Sequence, residues 1–334
     1  MLNLFQHPFR PTHGAGFGAR WALNRVGDYP LATLNPPCYI IYMKTKAPTL
    51  RQFQERFPTE GACLEHIMRN RFGDRHDCTG CGKSAHYYRV STRRAYVCEY
   101  CGFQVYPTAG TPFDRTRTSL RDWFFVMFLF CASRNGVAAK EVERQLGVTY
   151  KTAWRMCHQI REYMGSLDGN DPLGGMGQVV EIDETLIGGS VQGKGSGYKG
   201  NKVAVVGLLE RGGEVITKVV SSRHRAPMEA LVQTHVLPGA TVATDEFGSY
   251  RRLDTLGFDH VTVCHNKGQY TTPNGGGVNA IEGFWSQLKR GINGTHIHVS
   301  PKHLAKYLGE FEYRHNMRHL PHLMLDRLMV SFAR

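Results

Sequence analysis

The sequence predicts an α/β protein, with short strands and helices in its C-terminal half behind a four-cysteine metal ribbon and a run of helices. Three observations carry this. Two Cys-x-x-Cys pairs, Cys78/Cys81 and Cys98/Cys101, stand sixteen residues apart. Apolar residues recur at helical spacing between about residues 49 and 164. Beyond the glycine-rich stretch 165–177 the period changes to short β-branched runs, and one of them, Val179-Val180-Glu181-Ile182-Asp183-Glu184, carries acids where core residues are expected.

At 334 residues the chain is long enough for two or three compact units. Lys plus Arg number 41 against 28 Asp plus Glu, a formal charge of +13, which points to an anionic partner. The longest apolar run, 123–132, is ten residues, about half of what a bilayer crossing requires, so no membrane-spanning role is expected. Nucleic acid is the expected anionic partner and no membrane partner is expected, although the charge alone would also suit an anionic membrane. Cys38, Cys63, Cys131, Cys157 and Cys264 are scattered singly. Nine cysteines in this arrangement suit a reducing, cytoplasmic compartment and a metal site better than a disulfide framework.

Residues 1–42 are rich in Gly, Pro and Arg without sustained periodicity or a signal-peptide pattern. They are expected to be a disordered extension, or upstream sequence ahead of a true initiator at Met43. Residues 43–110 hold short helices over 49–72, broken at Pro58, and then the ribbon at 77–106. Residues 111–170 form a helical region with helices at 120–133, 138–146 and 149–164, the last two joined by Gly147. This outline is that of a helix-turn-helix. Val142, Leu146, Val148 and Trp154 would face inward, and Tyr150, Lys151 and Arg155 would reach bases or phosphates. An ordinary helical hairpin with a solvated basic face is the alternative.

The domain at 178–334 is predicted to contain strands at 178–187, 202–210, 214–221, 241–244 and 260–263 and a helix at 228–236. A Gly- and Asn-rich loop at 266–278 follows, then a helix at 279–290. Two further helices begin at Ser300 with Pro301 in the first helical position. Short strands alternating with helices indicate an α/β sheet.

In each cysteine pair two intervening residues let one tight turn present both sulfurs to a tetrahedral ion, and a glycine follows each pair. Zinc is the expected ligand, and its binding can contribute on the order of 10 kcal/mol to folding. Lys83, Arg89, Arg93 and Arg94 would face phosphates if the ribbon binds DNA, although ribbons also serve as scaffolds.

Asp183 lies on a β-branched strand, Asp245 ends the apolar strand 241–244, and Glu282 sits early in the helix 279–290. Three carboxylates brought together repel one another unless divalent cations neutralise them. Hard oxygen ligands suit magnesium or manganese, and two such ions can drive in-line displacement at a phosphodiester. Lys289, seven residues after Glu282, shares its helix face and would hold a DNA phosphate. Trp285 on this face is expected in the core. Glu181 and Glu184 are expected to be solvated or supporting groups, and His265 lies close enough in sequence to approach the site. Six of the sixteen histidines fall between His296 and His322. With Arg314 and Arg318 they are expected to form a basic, DNA-facing surface.

The segments Glu-Ile-Asp-Glu-Thr, Ala-Thr-Asp-Glu-Phe-Gly-Ser-Tyr and Asn-Ala-Ile-Glu-Gly-Phe-Trp-Ser-Gln-Leu-Lys-Arg, followed by Gly-Thr-His-Ile-His-Val-Ser, resemble the zinc-ribbon transposases of bacterial insertion sequences. The group is that of insertion sequence fifteen-ninety-five, and the resemblance runs from about residue 49 to residue 318. It implies an RNase H-like mixed-sheet core with a DDE-type site in which Asp183 is the first acid and Asp245 the second. Some members place asparagine third, so Asn279 stands beside Glu282 for that position, and Lys289 matches the lysine that follows. Where relatives often carry histidine two residues before the asparagine, this chain has Gly277.

The resemblance further implies an enzyme that binds double-stranded DNA, both element ends and target, with Arg290 beside Lys289 at the phosphates. It would use magnesium or manganese to cleave and join strands, act near the bacterial nucleoid, and assemble at least as a homodimer on DNA ends. Two alternatives are a non-catalytic zinc-ribbon DNA-binding regulator and a nuclease on the same core.

Overall fold

Two threonines start the first helices of the computed structural model, which describes residues 46–168, 171–188, 202–263 and 277–333. Thr49 and Thr59 precede α1 (Leu50–Arg56) and α2 (Glu60–Phe72), and their hydroxyls accept from the Gln52 and Ala62 N–H groups, satisfying donors that a helix start leaves open. Pro58 separates the two helices, as the sequence predicts. All described residues belong to one compact unit, Lys44–Arg334. The extension expected over 1–42, Cys264, His265 and the expected loop up to residue 276 lie outside the described residues.

The ribbon is built from five very short strands. β1 (His76–Asp77) pairs antiparallel with β2 (Ser84–Ala85), and β3 (Tyr87–Arg89), β4 (Tyr96–Cys98) and β5 (Gln104–Val105) form an antiparallel sheet in that order. Its attachment to α2 is polar: the Tyr96 hydroxyl donates to Glu65 at 2.7 Å and Arg94 donates to Glu60 at 2.6 Å. The other Glu60 oxygen accepts from the Leu120 N–H at 2.8 Å. Arg94, expected to face phosphate, is therefore engaged in holding the ribbon to the start of the next helix.

That helix, α3 (Leu120–Ala132), is apolar nearly all round because α1, α2 and later helices enclose it. α4 (Ala139–Leu146) and α5 (Tyr150–Ser166) follow, joined by Gly147 at φ 65°, and Thr149 caps α5 through the Thr152 N–H. Val142 is buried, with Leu146 and Val148 packed against the same core. Trp154 departs from expectation. It is 37% exposed and stacks on His158 at 3.8 Å, because Ala153, Met156, Cys157 and Ile160 already fill the inward side of α5.

The glycine-rich stretch 165–177 is partly structured: α5 runs on to Ser166, and β6 (Leu173–Gly174) pairs with a later strand. The main sheet then forms from β7 (Val179–Ile187), β8 (Val203–Glu210), β9 (Val215–Val220), α6 (Arg225–His235), β10 (Val236–Leu237, the partner of β6), β11 (Thr241–Thr244) and β12 (Asp259–Thr262). Its order is β12-β11-β7-β8-β9, antiparallel across β7, β8 and β9 and parallel across β7, β11 and β12. β8 is apolar throughout its interior because both faces are covered. Val180, Ile182, Val206, Leu208 and Ile216 pack with Met228 and Val232 of α6. Val205, Leu209 and Val215 pack on the opposite face with α7 (Asn279–Gly291) and α8 (Leu304–Asn316).

α9 (Met324–Phe332) returns to the helical half, where Leu325, Leu328 and Phe332 join the core of α1 to α5. Between α5 and α8, fully buried Glu310 is held by Arg161 at 2.7 Å and by Arg314 at 2.9 Å. Arg314 was expected at a DNA-facing surface. It is instead 7% exposed, fixed in an Arg-Glu-Arg group and donating to the Ser133 carbonyl, so its charge is spent inside the fold. No described helix is long and apolar enough to cross a membrane.

Candidate functional site: a thiolate cluster and a carboxylate cluster

The four ribbon cysteines converge. Cys78 and Cys101 Sγ lie 3.6 Å apart, Cys81 and Cys98 Sγ lie 3.9 Å apart, and all four sulfurs fall within 4.8 Å of one another. A tetrahedral ion with metal–sulfur bonds of about 2.3 Å requires sulfurs about 3.8 Å apart, so the cluster fits structural zinc. Both pairs use one turn. Gly82 and Gly102, at φ 70° and 71°, donate their N–H groups to the Cys78 and Cys98 carbonyls, and this left-handed conformation is why glycine follows each pair.

The carboxylates gather where a strand stops. β11 ends at Thr244, whose partner on β7 is Ile182, so among the described residues Asp183 and Glu184 have no strand partner on that edge. Asp245 follows β11 directly into the gap. Successive side chains on a strand point to opposite faces, but at this open edge both can turn toward Asp245. Oxygens of Asp183, Glu184 and Asp245 lie within 4.8 Å of one another. Glu282, exposed in the first turn of α7, stands outside this group yet close enough for its charge to raise Asp183.

Burial pushes the Asp183 carboxyl up to about 6, with Asp245 and Glu282 adding repulsion, and pushes Glu184 up to about 7. Arg223 offsets the Glu184 shift only in part, and the set of hard oxygen donors fits magnesium or manganese.

Each acid is oriented. Trp285 Nε1 donates to Asp183 Oδ2 at 3.0 Å. The indole is buried, as expected, but it also aims a carboxylate. Asp245 Oδ1 accepts from the Phe247 N–H at 2.9 Å. Buried Tyr250 donates its hydroxyl to Glu184 Oε1 at 2.5 Å, so the Asp-Glu-Phe-Gly-Ser-Tyr segment supplies both an acid and the group that fixes its neighbour. Glu184 and Tyr250 were missed as site residues. Tyr250 at least lies within a motif that the sequence displays.

Glu181 is buried rather than solvated, and it serves as a supporting group. One oxygen accepts from the Ala280 and Ile281 N–H groups at 2.8 and 3.0 Å, and the other accepts from Arg211 at 2.9 and 3.0 Å. It thereby anchors the N-terminus of α7 to β7, a position favoured by the helix dipole. Arg211 also donates to the Gly277 carbonyl at 3.2 Å. On α7, Asn279 is the first residue, and Glu282 and Lys289 are exposed two turns apart with Arg290 beside them.

Among the other DNA-contact candidates, Tyr150, Lys151 and Arg155 are exposed along the first two turns of α5. The Lys140 ammonium sits 4.8 Å over the Tyr150 ring. Arg318 is half-buried and donates to the Gly212 carbonyl at 3.0 Å.

Two family models match the chain: the transposase zinc-ribbon domain over residues 58–104, which contains all four cysteines, and the ISXO2-like transposase domain over residues 172–316, which contains the acids and α7. The chain is 27% identical over 260 residues to an uncharacterized protein in transposable element ISH50 of Halobacterium salinarum, covering 70% of this chain and 82% of that protein. It is 32% identical over 106 residues to an uncharacterized transposase-like protein of Haemophilus influenzae, covering 31% of this chain and 81% of that protein.

Proposed function

Because the chain belongs to the zinc-ribbon transposase family of insertion sequences, we propose that it binds the terminal inverted repeats of its own element, cleaves DNA there, and joins the freed ends to target DNA. The observation that carries the catalytic part is the convergence of Asp183 and Asp245 at the end of β11, with Glu184 and the α7 acid Glu282 beside them. The sheet order supports an RNase H-like reading of the core, with the first acid on the central strand β7 and the second after its parallel neighbour β11.

Asp183 and Asp245 would hold magnesium or manganese, with Glu282 preferred to Asn279 as the third ligand because a carboxylate binds a hard cation better than an amide. Ions bound there would supply activation of an attacking oxygen and stabilisation of a leaving one. Trp285 keeps one Asp183 oxygen aimed by donating to the other, and Lys289 and Arg290 receive phosphates along α7. Water attacks phosphorus at the element terminus and expels a 3′-hydroxyl. That hydroxyl then attacks a target phosphorus in line, and one phosphodiester replaces another without a high-energy cofactor.

The ribbon with Tyr150, Lys151 and Arg155 of α5 would grip the element ends, their exposure leaving them available to duplex DNA. Bringing two ends together requires at least two copies, which assemble on DNA at the nucleoid of the cytoplasm. The test compares wild type with Asp183→Asn and Asp245→Asn on end-containing duplex in magnesium. Both variants bind the ends yet neither nick nor transfer strands; transfer retained by either overturns the assignment. Nicking without joining by wild type would instead identify a nuclease.

A further inference from the structure

Resting on the transposase reading, we propose that Ile297 is a wedge that enters the base stack of duplex DNA beside the scissile phosphate. Ile297 is 81% exposed. Its backbone lies at φ 61° and ψ −50°, and the His298 N–H donates to the His296 carbonyl at 2.6 Å across it. This is the positive-φ form of the γ-turn, rare and strained for any L residue, and a β-branched side chain is among the least suited to it. Folding alone gains nothing from an isoleucine that is both strained there and wetted by solvent.

The turn is held on both sides. Ile292 and Val299 are buried on its flanks, and the His296 ring packs edge-on to Tyr307 at 4.8 Å. α7 continues directly into the π-helical turn Ile292–His296 that carries the tip. The helix bearing Glu282 and Lys289 therefore also sets the position of Ile297. Ile297, Lys289 and Leu186 line one cleft, and Leu186 lies three residues beyond Asp183 on β7, about 10 Å along the strand.

The surroundings identify the occupant. Lys289, Arg290 and Lys302 are exposed on the same segments, giving an apolar point among cations, which matches a base step between two phosphate backbones. Apolar side chains inserted between base pairs unstack them and kink the duplex. Opening the last pair of an element end would release the terminal nucleotide toward the acids, where its phosphate must be reached. Strained residues held by their surroundings cluster at sites of this kind.

The experiment uses the full chain and a duplex taken from the DNA bordering the gene, with 2-aminopurine beside the terminus. Binding of wild type raises the fluorescence. At saturating protein, Ile297→Ala and Ile297→Gly leave the fluorescence low and cut paired ends on the order of a hundredfold more slowly, the effect of losing one unstacked step. A mismatch at that step restores their rate, and Ile297→Met retains wild-type behaviour. Fluorescence that stays flat when wild type binds, or rises equally with Ile297→Ala, overturns the wedge. So does a change in self-association of Ile297→Ala without a change in fluorescence. Bound wild type that unstacks the end but never cuts it would keep the wedge and remove the transposase reading.

Discussion

Gly207 lies directly beneath the indole of Trp285. A Cβ at Gly207 would stand 2.6 Å from Trp285 Cζ2 and 2.7 Å from Ile281 Cδ1. Gly207 is also the cross-strand partner of Asp183. The missing side chain thus lets α7 settle onto β8 at the level where Trp285 reaches Asp183. Gly207→Ala must lift the helix, at about 1 to 3 kcal/mol by the usual cost of overpacking. Urea denaturation should show that loss, and magnesium titration should show weaker binding. Trp285→Phe keeps the packing and removes only the hydrogen bond, so it should cost about 1 kcal/mol while still slowing cleavage. An unaltered rate in Trp285→Phe would mean that the indole only packs.

Glu181 and Arg211 form the second support of α7. Glu181→Gln leaves one amide oxygen where a carboxylate had accepted from two helix N–H groups and a guanidinium. The expected loss is about 1 to 3 kcal/mol, the usual cost of leaving buried partners unsatisfied. Cleavage should fall in Glu181→Gln although none of the clustered acids is touched, and hydrogen exchange at the start of α7 should accelerate. Exchange that stays slow would show that the anchor is dispensable.

How much of this site the sequence displays depends on whether the cause is local. Asp183 and Asp245 are visible because an acid inside a β-branched run, or directly after one, contradicts its own surroundings. The helices at 50–72 and 120–166 are visible because apolar residues recur there at helical spacing, with Pro58 and Gly147 marking breaks. Glu184 is hidden because strand alternation sends it away from Asp183, and only the register that ends β11 at Thr244 reopens that edge. Arg314 is hidden for a related reason. Its helical neighbour Glu310 is four residues away, but Arg161, which completes the buried group, is 149 residues from Glu310. Trp154 was placed inward by its apolar character, whereas the space was already filled by smaller residues of α5.

The third ligand can be decided between Glu184 and Glu282. If Glu282 completes the site, Glu282→Gln should abolish cleavage as fully as Asp183→Asn, and Asn279→Ala should retain most activity. Glu184→Gln would then reduce the rate partially, because Tyr250 can still bond to the amide oxygen. The opposite ranking in magnesium-dependent nicking would transfer the role to Glu184, whose oxygens already lie within the cluster.

Zinc should be present at one ion per chain in metal analysis of purified protein. Cys98→Ser should reduce it and destabilise the ribbon strongly, since a structural zinc site carries on the order of 10 kcal/mol. The main sheet has its own two apolar layers, so its far-ultraviolet signature should outlast ribbon unfolding when a chelator removes the metal. Full zinc retained by Cys98→Ser would remove that cysteine from the ligand set.

Divalent cation binding should be strongly dependent on pH, with a sign fixed by burial. Asp183 is pushed up to about 6 and Glu184 to about 7, above the ordinary carboxylate range near 4. A raised carboxyl favours folding fully at pH below its unfolded value, and that contribution is lost as pH rises through the folded value. Without divalent ions, thermal stability should therefore decline between about pH 4 and 7, and Asp183→Asn should flatten part of the decline. A cation competes with those same protons, so its stabilising effect should be small near pH 5 and grow as pH passes 6 and then 7. Thermal melts with and without magnesium across this range test the relation. A magnesium-induced shift in melting temperature that is the same at pH 5 and pH 8 would show that Asp183 and Glu184 do not hold the ion.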